Sequence, residues 1–216
     1  MTNINWSNFK NDENSILFYN VQKRFSIGDE NWEIRHGTHY TTRRIAMNKE
    51  NVYSTSIEGF TIRFATIDDT KLILQFIKDL AEYEKLLDEV TATEEILKKS
   101  IFEKGQAEVV IGEYNGEAVG FALFFHNFST FLGKANLYLE DLFVKPEMRG
   151  KGFGKVLLSF LGKIAIDRDC GRLDWWCLDW NTSSIEFYKE MGAKPMSDWT
   201  VYRVEGLKLK ELADKL

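Results

Sequence analysis

Val144-Lys-Pro-Glu-Met-Arg149-Gly-Lys-Gly-Phe-Gly154-Lys-Val156 is the stretch on which the reading of this chain turns. An apolar run ends at Val144, and glycines follow at 150, 152 and 154. A helical period then opens at about Gly152, with Val156, Leu157, Phe160, Leu161 and Ile164 on one face. Glycines in such a turn let the backbone approach a ligand closely and aim successive N–H groups at one point. Together with the positive end of a helix dipole, those amides suit a diphosphate. Arg149, Lys151 and Lys155 add local positive charge.

Upstream and downstream, the pattern describes a mixed α/β domain with a central sheet. Thr61–Ala65 alternates as a strand, and Asp69–Leu87 carries Leu72, Ile73, Phe76, Ile77 and Leu80 at helical spacing. Thr93 before Glu94 and Glu95 is an N-cap opening a shorter helix through Phe102. Glu108–Tyr114 and Ala118–Phe125 are strands joined by Asn115-Gly116, a strong short hairpin signal. A strand over Asn136–Val144 leads into the glycine turn. After its helix come a strand over Arg172–Leu178, a helix over Ser183–Met191 closed by Gly192, and a last strand over Trp199–Val204.

Residues 1–57 show no sustained period, and their aromatic residues (Trp6, Phe9, Phe18, Tyr19, Phe25, Trp32) are scattered among Asn, Lys and Glu. They read as an extension ahead of a domain at 58–216. His36 and His39 have no second ligand pair beside them, so no metal is expected there. The net charge of −5 argues against nucleic acid as a partner and favours a cationic substrate. No apolar run reaches membrane-spanning length, and no apolar signal region stands near the start. Cys170 and Cys177 read as reduced thiols of a cytoplasmic protein.

Two other nucleotide motifs fail on this loop. A P-loop needs G-x-x-x-x-G-K-[ST], and a dinucleotide fingerprint needs G-x-G-x-x-G at the start of a βαβ unit. Arg149-x-x-Gly152-x-Gly154 instead matches the R/Q-x-x-G-x-G/A signature of the GNAT acetyltransferases. Asn181-Thr-Ser-Ser184-Ile-Glu-Phe187-Tyr188-Lys-Glu-Met-Gly192-Ala resembles a second segment of that superfamily, at its usual separation from the first. Ile62-Arg-Phe-Ala-Thr, Leu80-Ala-Glu-Tyr-Glu84 and Tyr138-Leu-Glu-Asp-Leu-Phe-Val144 resemble the branch of diamine (spermidine/spermine) N1-acetyltransferases and thialysine N-epsilon-acetyltransferases. The resemblance covers nearly all of Gly59–Leu216.

The resemblance implies a mostly antiparallel GNAT sheet flanked by helices, acetyl-CoA as co-substrate without a metal, and a homodimer. It implies direct acetyl transfer to a primary amine, which arrives protonated because its pKa is about 10. Glu140 is the candidate base and Tyr188 the candidate acid for the leaving thiolate, with Asp141, assigned to the opposite face of the strand, the lesser base. Leu142, Phe143 and Val144 would bind the pantetheine arm through their backbone, with the Val144 N–H as oxyanion donor. Arg149, Gly150, Lys151, Gly152, Phe153, Gly154 and Lys155 would cradle the phosphates, and Asn181 and Ser184 would also contact the cofactor. Tyr83, Glu84, Glu140, Asp174, Trp175, Trp176 and Asp198 would hold the amine by ion pairing and cation–π contact. The chain departs from the branch in the loop around His126–Ala135 and before Trp199, which leaves the amine open: polyamine, diamine, lysine-like amino acid, aminoglycoside-like amine or protein lysine. A protein or peptide N-acetyltransferase and a non-catalytic acyl-CoA-binding module are the alternatives.

Overall fold

A computed structural model describes residues 52–216. The chain divides into two compact units, one ending at Trp176 and the other spanning Cys177–Leu216. The readings placed on residues 1–51, including His36 and His39, lie outside the described residues.

The first unit is built on six strands in sequence order: β1 (Val52–Ser54), β2 (Phe60–Phe64), β3 (Glu108–Tyr114), β4 (Glu117–Ser129), β5 (Lys134–Val144) and β6 (Leu173–Trp175). β1 to β5 pair antiparallel, and β6 joins β5 in parallel. Asn115 and Gly116 both take left-handed conformations (φ 52° and 84°), which is the geometry a two-residue hairpin between twisted strands requires. Strand β1 falls inside the stretch that showed no period in the sequence. Three residues are too few to reveal an alternation, and Tyr53 is held by ring contacts to Phe64 and Phe160.

Helix α1 (Thr70–Tyr83) and the short α2 (Glu94–Leu97), prolonged as a π-helical turn over Lys98–Glu103, are amphipathic and bury their apolar faces with the sheet. Ile73, Phe76, Leu97, Ile101, Val109, Ile111, Phe121, Leu123 and Phe143 form one core, in which Phe76 stacks on Phe121 at 5.3 Å. Helix α3 (Phe153–Asp167) buries Phe153, Leu157, Leu158 and Leu161. Phe153 stacks on Phe60 at 4.2 Å.

Helix α1 is shorter than its apolar spacing predicts. Lys85 adopts φ 61°, Lys85 N–H donates to Glu82 O, and Leu86 N–H donates to Ala81 O at 2.8 Å. That is a Schellman stop, and the apolar spacing of Leu87 belongs to the following 3-10 turn (Leu87–Glu89). At its other end, Asp69 accepts two hydrogen bonds from the Arg63 guanidinium at 2.8 Å and one from the Thr66 amide at 2.7 Å. Arg63 also donates to Glu113. This network fixes the start of α1 against β2 and β3, and so fixes where Tyr83 and Glu84 emerge. Thr93 caps α2 as expected, accepting from Ile96 N–H at 3.2 Å.

Three other readings are corrected. The expected loop around His126–Ala135 is mostly hairpin, because β4 and β5 remain paired from His126↔Leu137 to Ser129↔Lys134, with Asn136 donating to Asn127 across the pair. Cross-strand pairing confines the loop there to the few residues between Ser129 and Lys134. The strand expected over Arg172–Leu178 contracts to Leu173–Trp175, where Leu137–Leu139 provide a partner. In the second unit, Trp199–Val204 forms no strand despite its alternation, since no other segment of that unit is extended into a partner for it. The second unit contains α4 (Thr182–Glu190) and α5 (Gly206–Ala213) instead. Helix α4 ends at Gly192 (φ 87°) with Ala193 N–H donating to Tyr188 O, the close that the sequence indicates.

Gly152 is the N-cap of α3 at φ 85°, whereas Gly154 lies within the helix, and a Cβ on it would meet only Val144 Cγ2 at 3.9 Å. Gly152→Ala is expected to cost about 1 kcal/mol of stability. Gly154→Ala is expected to be neutral or stabilising by up to about 1 kcal/mol. Chemical denaturation of the two variants checks the contrast.

Candidate active site

The site is assembled at the end of β5. Lys145 N–H donates to Val119 O at 2.9 Å, which makes Gly120↔Val144 a pair without its own hydrogen bonds. The N–H and C=O of Val144 therefore turn away from β4. On that side β6 is paired only as far as Leu139↔Trp175, so the backbone from Glu140 to Val144 has an open edge. The backbone of Leu142, Phe143 and Val144, expected to bind the pantetheine arm, lies along this edge.

Beside the open edge lies the glycine turn. Arg149 N–H still bonds to Pro146 O, and the first helical bond is Val156 N–H to Gly152 O. Between them, the amides of Gly150, Lys151, Gly152, Phe153, Gly154 and Lys155 donate to no backbone carbonyl among the described residues. Gly150 (φ 77°) and Gly152 (φ 85°) hold the turn in a shape that L-residues resist. A Cβ built on Gly150 would have no atom within 4 Å, so space is open above it. Arg149, Lys151 and Lys155 are exposed around this run. Amides, dipole, space and cations together fit a diphosphate.

Carboxylates gather at the same end. The β4–β5 register slips between Leu123 and Phe124, so that Leu123 faces Asp141 and Phe124 faces Leu139, leaving Glu140 as the extra residue of a bulge. A bulge re-aims side chains, so strict alternation does not carry from Glu140 to Asp141. Glu140 is exposed, whereas Asp141 is partly buried. Burial, reinforced by the charges of Glu140 and Glu84, pushes the Asp141 carboxyl up to about 7. Burial also raises Glu84 above the usual carboxylate range. Glu84 caps the C-terminus of α1, next to Tyr83.

The residues expected around the amine separate into groups. Tyr83 and Glu84 share the neighbourhood of Asp141, and the Arg149 guanidinium lies 4.5 Å from the Tyr83 ring centroid. Asp174 accepts from Arg172 at 2.7 Å, and exposed Trp176 meets the Tyr138 ring edge-on at 5.9 Å. The Tyr138 phenol is raised by burial, then by Glu140 and Asp174, so Glu140 stands between the two groups. Trp175 is half-buried in β6. Tyr188, Asn181, Ser184 and Asp198 belong to the second unit. There, Asn181 is the N-cap of α4, accepting from Ser184 N–H at 3.3 Å, and Tyr188 lies tilted against Phe187 at 5.2 Å. Asp198 is exposed. A recess of about 510 Å³ lined by Arg203, Glu205, Lys208, Glu211 and Lys215 contains none of these residues. Among the described residues, no cluster of three or more His, Cys, Asp or Glu is placed to hold a metal, and no helix is long and apolar enough to cross a membrane.

The elevation of the Asp141 carboxyl comes from desolvation at a bulge, and neither is written in the alternation of residues 138–144. The signal was present only as two adjacent carboxylates inside an apolar strand. Because its folded pKa of about 7 lies above the unfolded value of about 3.9, Asp141 binds its proton more tightly when folded. The stability this group confers is thus complete below about pH 4 and is lost as pH rises to about 7. Asp141→Asn is expected to be more stable than the parent by about 1–2 kcal/mol at pH 8 and little different at pH 4, read by denaturation at both pH values.

Comparison with known proteins agrees with this geometry. The profile of the Acetyltransferase (GNAT) family matches residues 73–193. A thialysine N-epsilon-acetyltransferase from Bos taurus is 39% identical over 166 residues, covering 71% of this chain and 97% of that one. L-ornithine N5-acetyltransferase NATA1 from Arabidopsis thaliana is 43% identical over 97 residues, 45% of this chain and 42% of that one. Among solved structures, an integron cassette protein from the mobile metagenome of V. cholerae superposes with a TM-score of 0.61 at 29% identity, covering 72% of this chain and 98% of its own. An amide-lined turn at the head of a helix, an open strand edge beside it and these matches have one meaning: the chain belongs to the GNAT family of acetyl-CoA-dependent N-acetyltransferases.

Proposed function

We propose that this chain moves an acetyl group from acetyl-CoA directly to the primary amine of a small cationic substrate: a polyamine, a diamine or a lysine-like amino acid. The observation that carries the reading is the meeting of six amides (Gly150–Lys155) that donate to no backbone carbonyl among the described residues with the acid-rich open edge of β5. Relatives named for thialysine and L-ornithine support an acceptor with an amine on a short alkyl chain.

In this reading the turn from Arg149 to Lys155 grips the diphosphate, and the backbone of Leu142, Phe143 and Val144 binds the pantetheine arm. The acetyl-CoA thioester supplies the electrophilic carbonyl. The Val144 N–H, directed away from β4, stabilises the oxyanion that forms there. Glu84 and Asp141, with the rings of Tyr83 and Trp176, attract the alkylammonium, and Asp174 adds charge nearby. An ammonium of pKa about 10 must lose a proton before it can attack. Asp141 is the acceptor best matched to neutral pH, and exposed Glu140 passes the proton to water. The amine nitrogen then bonds to the acetyl carbon, the carbon–sulfur bond breaks, and the Tyr188 phenol protonates the departing thiolate. Asn181 and Ser184 contribute to the cofactor's surroundings from the head of α4, and Asp198 to those of the amine. The protein acts as a cytoplasmic homodimer in this reading, with the residues ahead of β1 an extension to the catalytic domain.

Release of free CoA thiol with a panel of lysine, thialysine, ornithine, putrescine and spermidine tests the reading. Turnover with at least one of them, and the matching mass gain on its amine, is expected; thiol release that no amine accelerates would contradict it. Tyr188→Phe is expected to lower kcat by about 100-fold. The kcat/KM profile should rise with pH through an apparent pKa near 7. Asp141→Asn should abolish that limb and Glu140→Gln should retain it.

A further inference from the structure

Arg149 occupies a position that its expected role, pairing with phosphate, does not explain. Its Nε donates to the Val144 carbonyl at 3.0 Å, which is one of the groups on the open edge of β5. Its guanidinium lies 4.5 Å from the ring centroid of Tyr83 and 5.8 Å from that of Phe143. One side chain thus reaches from the glycine turn, across the mouth of the open edge, to the residue at the end of α1 beside Glu84. No carboxylate holds it there among the described residues, although Asp141 and Glu84 lie in the same region. The contact is instead a cation over an aromatic face together with a single hydrogen bond to a carbonyl. Both are weak enough to exchange, since a cation–π contact at an exposed site is weaker than a charge-assisted bond to phosphate. A diphosphate offers the same guanidinium a doubly bonded, fully charged partner.

We propose that Arg149 is a positioning residue that couples the two substrates, closing the Val144 carbonyl and stacking on Tyr83 until a diphosphate draws it away. Its departure frees the Val144 carbonyl for the pantetheine arm and releases the Tyr83 ring to the amine. The cofactor thereby prepares the acceptor site before the amine enters. The inference rests on the cofactor reading above, and it adds a cost to cofactor binding that is set by Tyr83, a residue which touches no phosphate.

Two ligands separate the effects of Arg149. CoA carries the diphosphate, whereas pantetheine carries the arm without it. In calorimetric or NMR titrations, Arg149→Ala is expected to weaken CoA binding at least 10-fold and to tighten pantetheine binding about 3- to 5-fold, because the Val144 carbonyl is then open. A merely structural role would weaken both. Tyr83→Leu is expected to tighten CoA about 3-fold in the parent protein and to change nothing in the Arg149→Ala background. The coupling is overturned if Arg149→Ala weakens or fails to change pantetheine binding, or if the effect of Tyr83→Leu is the same in both backgrounds. If the parent protein binds no CoA, the cofactor reading falls and the coupling falls with it. If the parent binds CoA and the cycle is additive, only the coupling falls.

Discussion

Six consecutive backbone amides with no backbone carbonyl to donate to among the described residues are a constraint that the rest of the molecule has to accommodate. Buried without partners they would each cost roughly 1–3 kcal/mol, so they must face water or a ligand rich in acceptor oxygens. The protein holds them at the surface by two left-handed glycines, Gly150 and Gly152, and by the anchorage of α3 beneath them. Phe153, the first residue of that helix, is stacked on Phe60 and tilted against Tyr114 at 5.1 Å. Because Phe60 belongs to β2, the turn is tied to the sheet and not to a loop. The direction in which the amides point is therefore a property of the core.

The sheet imposes a second condition. Strand β5 is fully paired with β4 up to Val144 but loses β6 after Leu139, and the bulge at Glu140 coincides with that parting. One strand edge thus serves two purposes. It presents main-chain groups on the side that β6 has left, and it brings Asp141 into a partly desolvated place near Glu84. The Arg63–Asp69–Glu113 network contributes at a distance, since it sets the start of α1 and the Schellman stop at Lys85 sets its end. Burial alone would raise the Asp69 carboxyl, and the bonds from Arg63 and Thr66 outweigh it to leave Asp69 below its usual range. In the proposed function, a cation held beside an anion-binding turn would rely on separating the two charges along one strand.

Much of this was legible in the residues. The glycine spacing from 150 to 154 identified the turn, Asn115-Gly116 identified the hairpin, and Thr93 and Gly192 identified helix ends, because each rests on local backbone chemistry. What failed was non-local. Trp199–Val204 alternates like a strand, but an alternation does not supply a partner. Residues 126–135 are expected as a loop from the resemblance to the branch, but pairing across Asn127 and Asn136 continues the strands. The prominence of Asp141 depends on a register slip that needs the opposite strand to exist. The stacking of Arg149 on Tyr83 joins residues 66 positions apart, and no local pattern contains it.

The central claim is that the amides between Gly150 and Lys155 hold the phosphates of coenzyme A. Following backbone 15N–1H resonances of the protein as 3′,5′-ADP-bearing CoA is added tests this most directly. The account predicts that the amides of Gly150, Lys151, Gly152, Phe153, Gly154 and Lys155 shift first and furthest. Saturable binding of CoA that leaves those six resonances in place, while moving others, would contradict it.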